Sequence, residues 1–275
     1  MKILQVNKFY FPKAGTERYV FELTKLLESK GHEVIPFAMK DKRNLKNYFN
    51  KYFVSNVDLS KPKIRPSGFK NIGRIIYSQE AKRKVEDLIK KTKPDIVHIH
   101  NIYHQISPSI LPVFKKYNIP VVQTLHDFKL ICPSYKLFSK GTVCERCKKH
   151  KYYNAVSQKC SKDSTLYGCV LALEMYIHKM LKIYEKNVDI FICPSQFVKN
   201  KMIEWGIDNK KLIVISHFVS LSKFEPNYEN QGYILYFGRL TEEKGVDVLL
   251  KAMKDFPKLK LKIIGEGPEK KNLES

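Results

Sequence analysis

The segment at positions 237–245 has the composition of a phosphate-binding loop and reads FGRLTEEKG. It follows an apolar run typical of a strand and precedes one typical of a helix. A glycine allows the backbone to approach a ligand closely, and the N-terminus of a helix offers free N–H groups and the positive end of its dipole. Arg239 can contact two phosphate oxygens at once, and Lys244 adds a point charge. We favour phosphate binding over the alternative, a surface turn with ordinary basic residues.

A group of cysteines has a spacing that suits a structural metal. The predicted zinc ligands are Cys132, Cys144, Cys147 and Cys160. Four thiolates can hold Zn²⁺ tetrahedrally, and the surrounding segment has few large apolar residues to anchor it otherwise. The alternative is free thiols or an occasional disulfide, because the spacing matches no standard zinc ribbon. Cys169 is expected in the core of an apolar helix, and Cys193 is expected to be buried at a strand end.

The composition is that of a globular protein with an excess of positive charge. The 275 residues are 43% hydrophobic and 28% charged, which excludes a disordered chain. Fifty Lys and Arg against 27 Asp and Glu give a formal charge of +23. Such a balance favours nucleic acid, an anionic membrane surface or a phosphorylated small molecule, although a lysine-rich solvated surface is the alternative. Because no secretory signal or membrane span is visible, we expect a cytoplasmic protein whose cysteines are reduced thiols or metal ligands.

The elements that would position these residues alternate between strand and helix. The periodicity predicts strands at 1–7, 33–38, 94–100, 121–125, 188–193 and 211–216, and helices at 17–30, 76–91, 106–116, 166–186 and 196–205. Gly31 follows the first helix where a left-handed residue is needed. A basic irregular segment at 41–75 and a cysteine-rich insertion at about 128–165 interrupt the pattern. The fold class is therefore α/β, a Rossmann-like doubly wound parallel sheet.

A second domain is expected to begin after a polar linker at 220–231. Residues 1–219 form the first domain, and 232–275 begin the second with strands at 233–237 and 259–264 around a helix at 246–253. One βαβ unit cannot cover both faces of a sheet, so we expect the second domain to be truncated. In doubly wound sheets ligands bind at the carboxyl ends of the strands, which directs attention to the polar residues found there.

The order and spacing of several motifs resemble glycosyltransferase family 4, whose members have the GT-B architecture. The first-domain motifs are FPKAGTER at 11–18, GHEV at 31–34, PDIVHIHN at 94–101, TLHD at 124–127, PS at 194–195 and the segment from 213 to 224. The second-domain motifs are GRL and KG within 238–245 and IGEGP at 264–268. Each motif is modest alone, but together they cover nearly the whole chain.

The resemblance implies a transfer of a sugar from a nucleotide-sugar donor to a glycan or lipid-linked acceptor, with retention of configuration and no catalytic metal. Arg239 and Lys244 would hold the donor diphosphate, and the backbone at Gly15 would approach it. His126 would lie at the reaction centre, on donor or acceptor. Further contacts to donor or acceptor are implied for Glu17, His100, Asn101, Asp127 and Ser195.

The chain departs from the family pattern in three places. It has Ala14 beside Gly15 where paired glycines are usual, and His217-Phe218 where Asn-Gly is frequent. The acidic pair that holds the donor sugar and ribose would lie beyond Ser275. Residues 1–275 alone are therefore expected to be inactive or very weakly active.

Aromatic residues lie among the lysines of both irregular segments. They are Tyr48, Phe49, Tyr52, Phe53, Phe69, Phe138, Tyr152 and Tyr153. Such a mixture suits an anionic bilayer surface, and we expect peripheral attachment to the inner face of the cell membrane. The alternative function is a non-enzymatic, zinc-stapled basic module that binds nucleic acid. No helix-turn-helix, RNP-like string or standard zinc-finger spacing supports that alternative.

Overall fold

A computed structural model describes residues 1–56, 72–161, 163–219, 221 and 224–274. The Phe69 of the basic segment lies outside these described residues. The chain groups into two compact units. The first comprises residues 1–137 and 145–219, and the second comprises residues 138–144 and 220–275.

Unit 1 is built on a six-stranded parallel sheet, which confirms the predicted fold class. Its strands are β1 (Lys2–Val6), β2 (Glu33–Phe37), β3 (Ile96–Ile99), β4 (Val121–Thr124), β7 (Ile190–Cys193) and β8 (Leu212–Val214). The spatial order is β2-β1-β3-β4-β7-β8, and every neighbouring pair is parallel. The chain leaves β1 in one direction to form β2 and returns on its other side to form β3, so the order reverses there.

Helices connect these strands near the positions that the periodicity predicts, although the predicted helix at 106–116 is an α-helix only from Leu111. They are α1 (Gly15–Ser29), α2 (Gln79–Thr92), α3 (Leu111–Lys116) and α7 (Gln196–Glu204). Gly31 follows α1 with a φ of 79°, as its predicted role requires. Ser78 caps α2 by accepting a hydrogen bond from the Ala81 N–H at 3.1 Å. Within the described part of the chain, no helix is both long enough and apolar enough to cross a membrane.

The sheet packs into a continuous apolar core. Leu4 and Val6 of β1, Val97 and Ile99 of β3, and Phe191 of β7 are all fully buried. Consecutive buried residues are expected in central parallel strands, because helices cover both faces of such a sheet. The core therefore fixes the positions of the strand ends, where the polar residues follow.

The predicted single helix at 166–186 is instead two helices. Helix α5 (Thr165–Met180) ends before α6 (Ile183–Asn187), and Lys182 between them is left-handed, with a φ of 49°. A left-handed residue cannot continue a right-handed helix, so the chain changes direction there. The prediction that Cys169 lies in the core is also wrong, because its side chain is exposed on α5.

The segment at 128–165, predicted to be a cysteine-rich insertion, has its own regular elements. A hairpin of β5 (Phe138–Ser139) and β6 (Thr142–Val143) precedes the one-turn helix α4 (Asn154–Ser157). Ile131, Leu137 and Tyr152 are buried and join the main core. Apolar packing thus anchors part of this segment, and a structural zinc there stays a prediction.

The described part of unit 2 contains a βαβ element. Strands β9 (Tyr233–Phe237) and β10 (Lys260–Ile264) pair in parallel, α8 (Val246–Met253) connects them, and α9 (Lys270–Glu274) follows. A Cβ at Gly265 would lie 1.9 Å from the Gly238 carbonyl oxygen, and one at Gly267 would lie 2.0 Å from that of Leu240. Only glycine permits such an approach of the two loops that leave the strands.

Candidate functional site

Two predicted residues, His100 and His126, form a direct pair at the carboxyl ends of β3 and β4. The Nδ1 atom of His100 lies 2.9 Å from the Nε2 atom of His126. His98, one position before the end of β3, places its Nε2 atom 2.8 Å from the Thr124 hydroxyl. The parallel register of β3 and β4 brings these side chains together, although 26 residues separate His100 from His126.

These imidazoles are neutral at physiological pH. Burial lowers the pKa of His126 to about 3, and the neighbouring His217 and His98 lower it further. Burial likewise lowers the pKa of His98 to about 4 and that of His100 well below its usual range. Since both rings are neutral, one nitrogen of the His100–His126 pair donates a proton and the other accepts it. The pair can therefore position a polar ligand atom, but it supplies no positive charge to a phosphate.

Asn7, which the sequence reasoning did not select, connects Glu17 to Asn101. Its side-chain amide donates to the Glu17 carboxylate at 3.2 Å, and its amide oxygen accepts from the Asn101 N–H at 3.2 Å. Glu17 on α1 is buried, as is Asn101 after β3. The sequence could have indicated Asn7 as a site residue only through its position directly after β1. This network fixes the loops that leave β1 and β3 relative to α1.

Asp127 lies in a polar cluster that includes Tyr103 and Lys129. The Tyr103 hydroxyl donates to its carboxylate, and the Lys129 N–H donates to the other carboxylate oxygen at 3.0 Å. Burial raises the pKa of Asp127 to about 6, although Lys8 and Lys129 act in the opposite direction. The same Tyr103 hydroxyl lies 3.0 Å from the Asn101 side-chain oxygen. Asp127 can therefore change its protonation state near neutral pH.

An aromatic stack extends the histidine pair. The ring of His217 lies 5.1 Å from that of His126, nearly parallel to it, and 4.3 Å from the ring of Tyr19. Tyr19 also approaches His126 at 5.4 Å between ring centroids. His217 stands where the family often has Asn, so the departure noted in the sequence places an extra imidazole against His126. Tyr19 was missed because its spacing on α1 is that of a core residue.

Two other predicted residues have clear structural positions in unit 1. Gly15 is the first residue of α1, and a Cβ there would meet no atom within 4 Å. Ala14 supplies no side-chain cap, so this helix start has backbone N–H groups without a capping side chain. Ser195 caps α7, because its hydroxyl accepts from the Val198 N–H at 3.3 Å. The capping bond accounts for Ser195 without a ligand.

The predicted diphosphate ligands belong to unit 2. Arg239 follows β9, and Lys244 precedes α8; both side chains are exposed. Gly245 between Lys244 and α8 is left-handed, with a φ of 64°. Among the residues that the structure describes, neither cation has an acidic side chain within ion-pair distance. The segment therefore presents two available positive charges at a strand-to-helix loop.

The structure does not assemble the predicted zinc ligands. Cys132 and Cys147 are buried, and Cys144 and Cys160 are half-buried. Across the described residues, no three His, Cys, Asp or Glu side chains are grouped as metal ligands. The Cys132 sulfur instead lies 3.3 Å from the Ser134 hydroxyl. Zinc stays a prediction, and elemental analysis of anaerobically purified protein tests it.

Some of the aromatic residues expected at a membrane surface are core residues. Phe53 is fully buried, and Tyr152 is nearly so. Tyr48 and Tyr153 are exposed. The cavity beside the basic segment is an open surface depression lined by Lys40, Lys42 and Arg43, and Arg43 is paired with Asp41 at 2.8 Å. The aromatic contribution to a membrane surface is thus smaller here than the sequence suggested.

Comparison with known proteins identifies the family. The profile of Glycosyltransferase Family 4 matches residues 14–223, and that of Glycosyl transferases group 1 matches residues 220–275. An uncharacterized 42.6 kDa protein in the cps region of Klebsiella pneumoniae is 28% identical over 269 residues, which is 91% of this chain and 64% of that protein. The chain therefore spans about two thirds or less of the relatives it matches.

Two further relatives have named activities. The alpha-monoglucosyldiacylglycerol synthase of Acholeplasma laidlawii is 26% identical over 98% of this chain and 64% of its own length. The gpi3 subunit of the phosphatidylinositol N-acetylglucosaminyltransferase of Schizosaccharomyces pombe is 23% identical over 98% of this chain and 52% of its own length.

Solved structures agree on the fold. Anabaena HepE, crystallised with UDP and glucose, superposes with a TM-score of 0.54 at 14% identity, over all of this chain and 64% of its own. The lipopolysaccharide outer core galactosyltransferase WaaB gives a TM-score of 0.53 at 16% identity, over all of this chain and 63% of its own. The family profile covers most of the chain, and the solved structures share its fold. Together with the polar residues at the carboxyl ends of β3 and β4, they show that the chain belongs to glycosyltransferase family 4 and has the GT-B fold.

Proposed function

We propose that this chain supplies the acceptor-side domain and the basic part of the donor site of an enzyme that transfers a sugar from a nucleotide-sugar donor. The observation that carries the proposal is the cluster at the carboxyl ends of β3 and β4, where His100, Asn101, His126 and Asp127 converge. The acceptor is a glycan or a lipid-linked glycan, and the sugar is transferred with retention of configuration. HepE, which was crystallised with UDP and glucose, supports the donor class.

Each residue has a role that follows from its charge state. Arg239 and Lys244 stabilise the negative charge that grows on the departing diphosphate, because cations aimed at developing charge lower the barrier. His126 is neutral, so it hydrogen-bonds a sugar hydroxyl rather than neutralising phosphate. Gly15 leaves open space at the start of α1, where backbone N–H groups suit an anionic ligand. No metal has a role in this scheme.

The proposal extends to a lipid-linked acceptor and to peripheral attachment at the cytoplasmic face of the membrane. The two relatives with named activities are a glucosyldiacylglycerol synthase and a phosphatidylinositol glycosyltransferase subunit, and both names specify lipids. WaaB is named for lipopolysaccharide. The formal charge of +23 suits an anionic surface, and a role in cell-surface polysaccharide or glycolipid synthesis follows.

Calorimetric titration of residues 1–275 with UDP, GDP and ADP tests the donor part. We expect one of these nucleotides to bind, and Arg239→Ala combined with Lys244→Ala to weaken that binding at least about tenfold, since hydrogen bonds to charged groups contribute roughly 1.5–3 kcal/mol each. The control is Lys254→Ala with Lys258→Ala, which removes the same charge from two exposed positions of unit 2. Equal binding by both pairs of variants would contradict the assignment.

A nucleic-acid module is the competing class of function. Its signature is salt-sensitive binding to random-sequence duplex DNA together with no binding of any nucleoside diphosphate. That combination of results would reverse the proposal.

A further inference from the structure

Helix α5 has an unusual distribution of polarity. Its exposed residues are all uncharged: Thr165, Leu166, Cys169, Leu173, Tyr176 and Met180. The last five, spaced by three, four, three and four residues, lie along one face and are called here the outer stripe. Met180 is 75% exposed and Leu173 is 48% exposed. A helix that faces water normally carries charged residues on that face.

Two polar residues of α5, Glu174 and His178, point the other way, and Lys179 is half-buried and paired with Glu185 at 2.6 Å. Glu174 is fully buried, and His178 is 5% exposed. Glu174 accepts from the Lys129 ammonium at 2.7 Å, and the His178 ring lies 2.8 Å from the Ile76 carbonyl oxygen. Glu174 and His178 are therefore committed to the interior. In the outer stripe, the Tyr176 ring packs against that of Tyr152 at 5.1 Å between centroids, whereas Leu173 and Met180 stay exposed.

A further aromatic residue, Tyr153, lies beside the outer stripe and contacts Tyr176 within it. The backbone N–H of Tyr153 donates to the Tyr176 hydroxyl at 3.2 Å, and the Tyr153 side chain is itself exposed. Helix α4 packs tightly on α5 at Gly168, where a Cβ would lie 2.5 Å from the Ala155 carbonyl oxygen. This close packing fixes Tyr153 next to the stripe. Tyrosine rings are favoured where an apolar layer meets water.

Positive charge surrounds the apolar face. Five exposed lysines lie near α4 and α5 in the chain: Lys149, Lys151, Lys159, Lys182 and Lys186. Among the described residues, none of these five has an acidic side chain within ion-pair distance. Leu181, also exposed, continues the apolar surface beyond Met180. Asp163, shortly before α5, and Glu185, paired with Lys179 at 2.6 Å, are the acidic residues of this region, and the lysines outnumber them. The local charge is thus positive in sum, on a chain whose formal charge is +23.

We propose that the outer stripe of α5 docks into the interface of an anionic lipid bilayer, with the flanking lysines on the headgroups. A helix lying flat with an apolar face, a tyrosine at its edge and a basic rim has the features of an interfacial membrane helix. The stripe extends roughly 21 Å at 1.5 Å per residue, along the surface rather than across it. A second copy of this chain would bring two positive surfaces together, whereas an anionic bilayer complements them.

The inference extends the membrane-surface part of the proposed function, and its test is independent of nucleotide binding. The full chain is mixed with phosphatidylcholine vesicles prepared with and without phosphatidylglycerol, and bound protein is separated by flotation. We expect binding that requires phosphatidylglycerol. Leu173→Glu with Met180→Glu should weaken it at least about tenfold, because burying one such side chain is worth about 1.5–3 kcal/mol, and 1.4 kcal/mol is tenfold.

The matched control is Leu26→Glu with Ile203→Glu, which adds the same charge at exposed apolar positions of α1 and α7. The control should bind anionic vesicles within a few-fold of the parent. A second measurement needs no substitution in the stripe. Cys169 is the exposed cysteine among the six, so an environment-sensitive dye attached there should shift its emission to the blue when anionic vesicles are added.

Three results would overturn the proposal. The first is no binding of the parent to anionic vesicles. The second is equal loss of binding in the stripe variant and the control. The third is a dimer, seen by sedimentation, that the stripe variant dissociates while no vesicle binding occurs. Loss of vesicle binding with unchanged UDP, GDP or ADP binding would leave the donor assignment intact.

Discussion

Replacement of Glu174 by Gln should destabilise unit 1 severely. Glu174 is fully buried, with its Oε2 atom 2.7 Å from the Lys129 ammonium and 3.2 Å from Nδ1 of His104. Burial alone would raise its pKa, but Lys129 and His104 reverse that effect and hold the pKa below its usual range. The carboxylate is therefore ionised in the folded protein and balances the charge of Lys129, which also donates to the Pro133 carbonyl oxygen at 3.4 Å.

The magnitude follows from what Glu174→Gln leaves behind. A glutamine retains the shape and one hydrogen bond, but the buried ammonium of Lys129 loses the carboxylate with which it forms an ion pair. Removing one partner of a buried ion pair costs about 3–5 kcal/mol. Adding Lys129→Met should recover at least half of the loss, because the uncompensated charge is then gone. The matched control is Glu86→Gln, whose partner Lys116 lies at 2.6 Å on the surface. An exposed pair of this kind contributes far less, because solvent screens the two charges.

Urea unfolding followed by the fluorescence of Trp205, the single tryptophan and a buried residue of unit 1, measures these free energies. The folded pKa of Glu174 is lower than its unfolded pKa of about 4.3. Its contribution is therefore fully present above that value and is lost as the pH falls through the folded pKa. The difference between parent and Glu174→Gln should shrink in strong acid. A cost below about 1 kcal/mol at pH 7, equal to that of Glu86→Gln, would refute the reasoning.

Three further outcomes are expected. Because burial raises the pKa of Asp127 to about 6, the stability that its neutral form provides is lost as the pH rises through 6. Denaturation curves should accordingly show that Asp127→Asn lowers the unfolding free energy less at pH 8 than at pH 5. A larger loss of unfolding free energy at pH 8 would contradict this. The His126 imidazole, with a pKa near 3, should show no NMR titration between pH 5 and 8, and a midpoint near 6.5 would disprove its neutral state. Gly168→Ala should lower the unfolding free energy by about 1–3 kcal/mol through its clash with Ala155, whereas Gly15→Ala, with open space, should change it little; equal effects would exclude the packing argument.

Local elements were the most predictable part of the fold. The strand at 233–237 and the helix at 246–253 have the bounds that periodicity predicts, because both signals depend on neighbouring residues. The long helix at 166–186 could not be divided correctly from sequence, since its break depends on one left-handed lysine rather than on glycine or proline. The exposure of Cys169 was missed for a related reason. An apolar helix normally turns charged residues to water, whereas α5 buries Leu171, Ala172 and Met175 and leaves a second apolar stripe exposed.

In the candidate site, too, the features that depend on neighbouring residues were predicted, and those that depend on distant segments were not. Motifs selected His100 and His126 as separate residues, each at the end of a predicted strand. Their pairing, and the stacking of His217 on His126, required the strand order and the path of the chain after β8. Asn7 and Tyr103 were missed because single polar residues after a strand carry little signal without knowledge of which strand ends lie side by side.

For this protein, the sequence by itself determined the alternating elements, the family and the residues at the strand ends. Those features are encoded locally, in periodicity and in short motifs. Only the tertiary structure decided which residues meet across the sheet, that Glu174 and Lys129 balance each other in the interior, and that α5 turns its apolar stripe outward. These are properties of packing between distant segments, where burial and charge pairing depend on the whole sheet rather than on neighbouring residues.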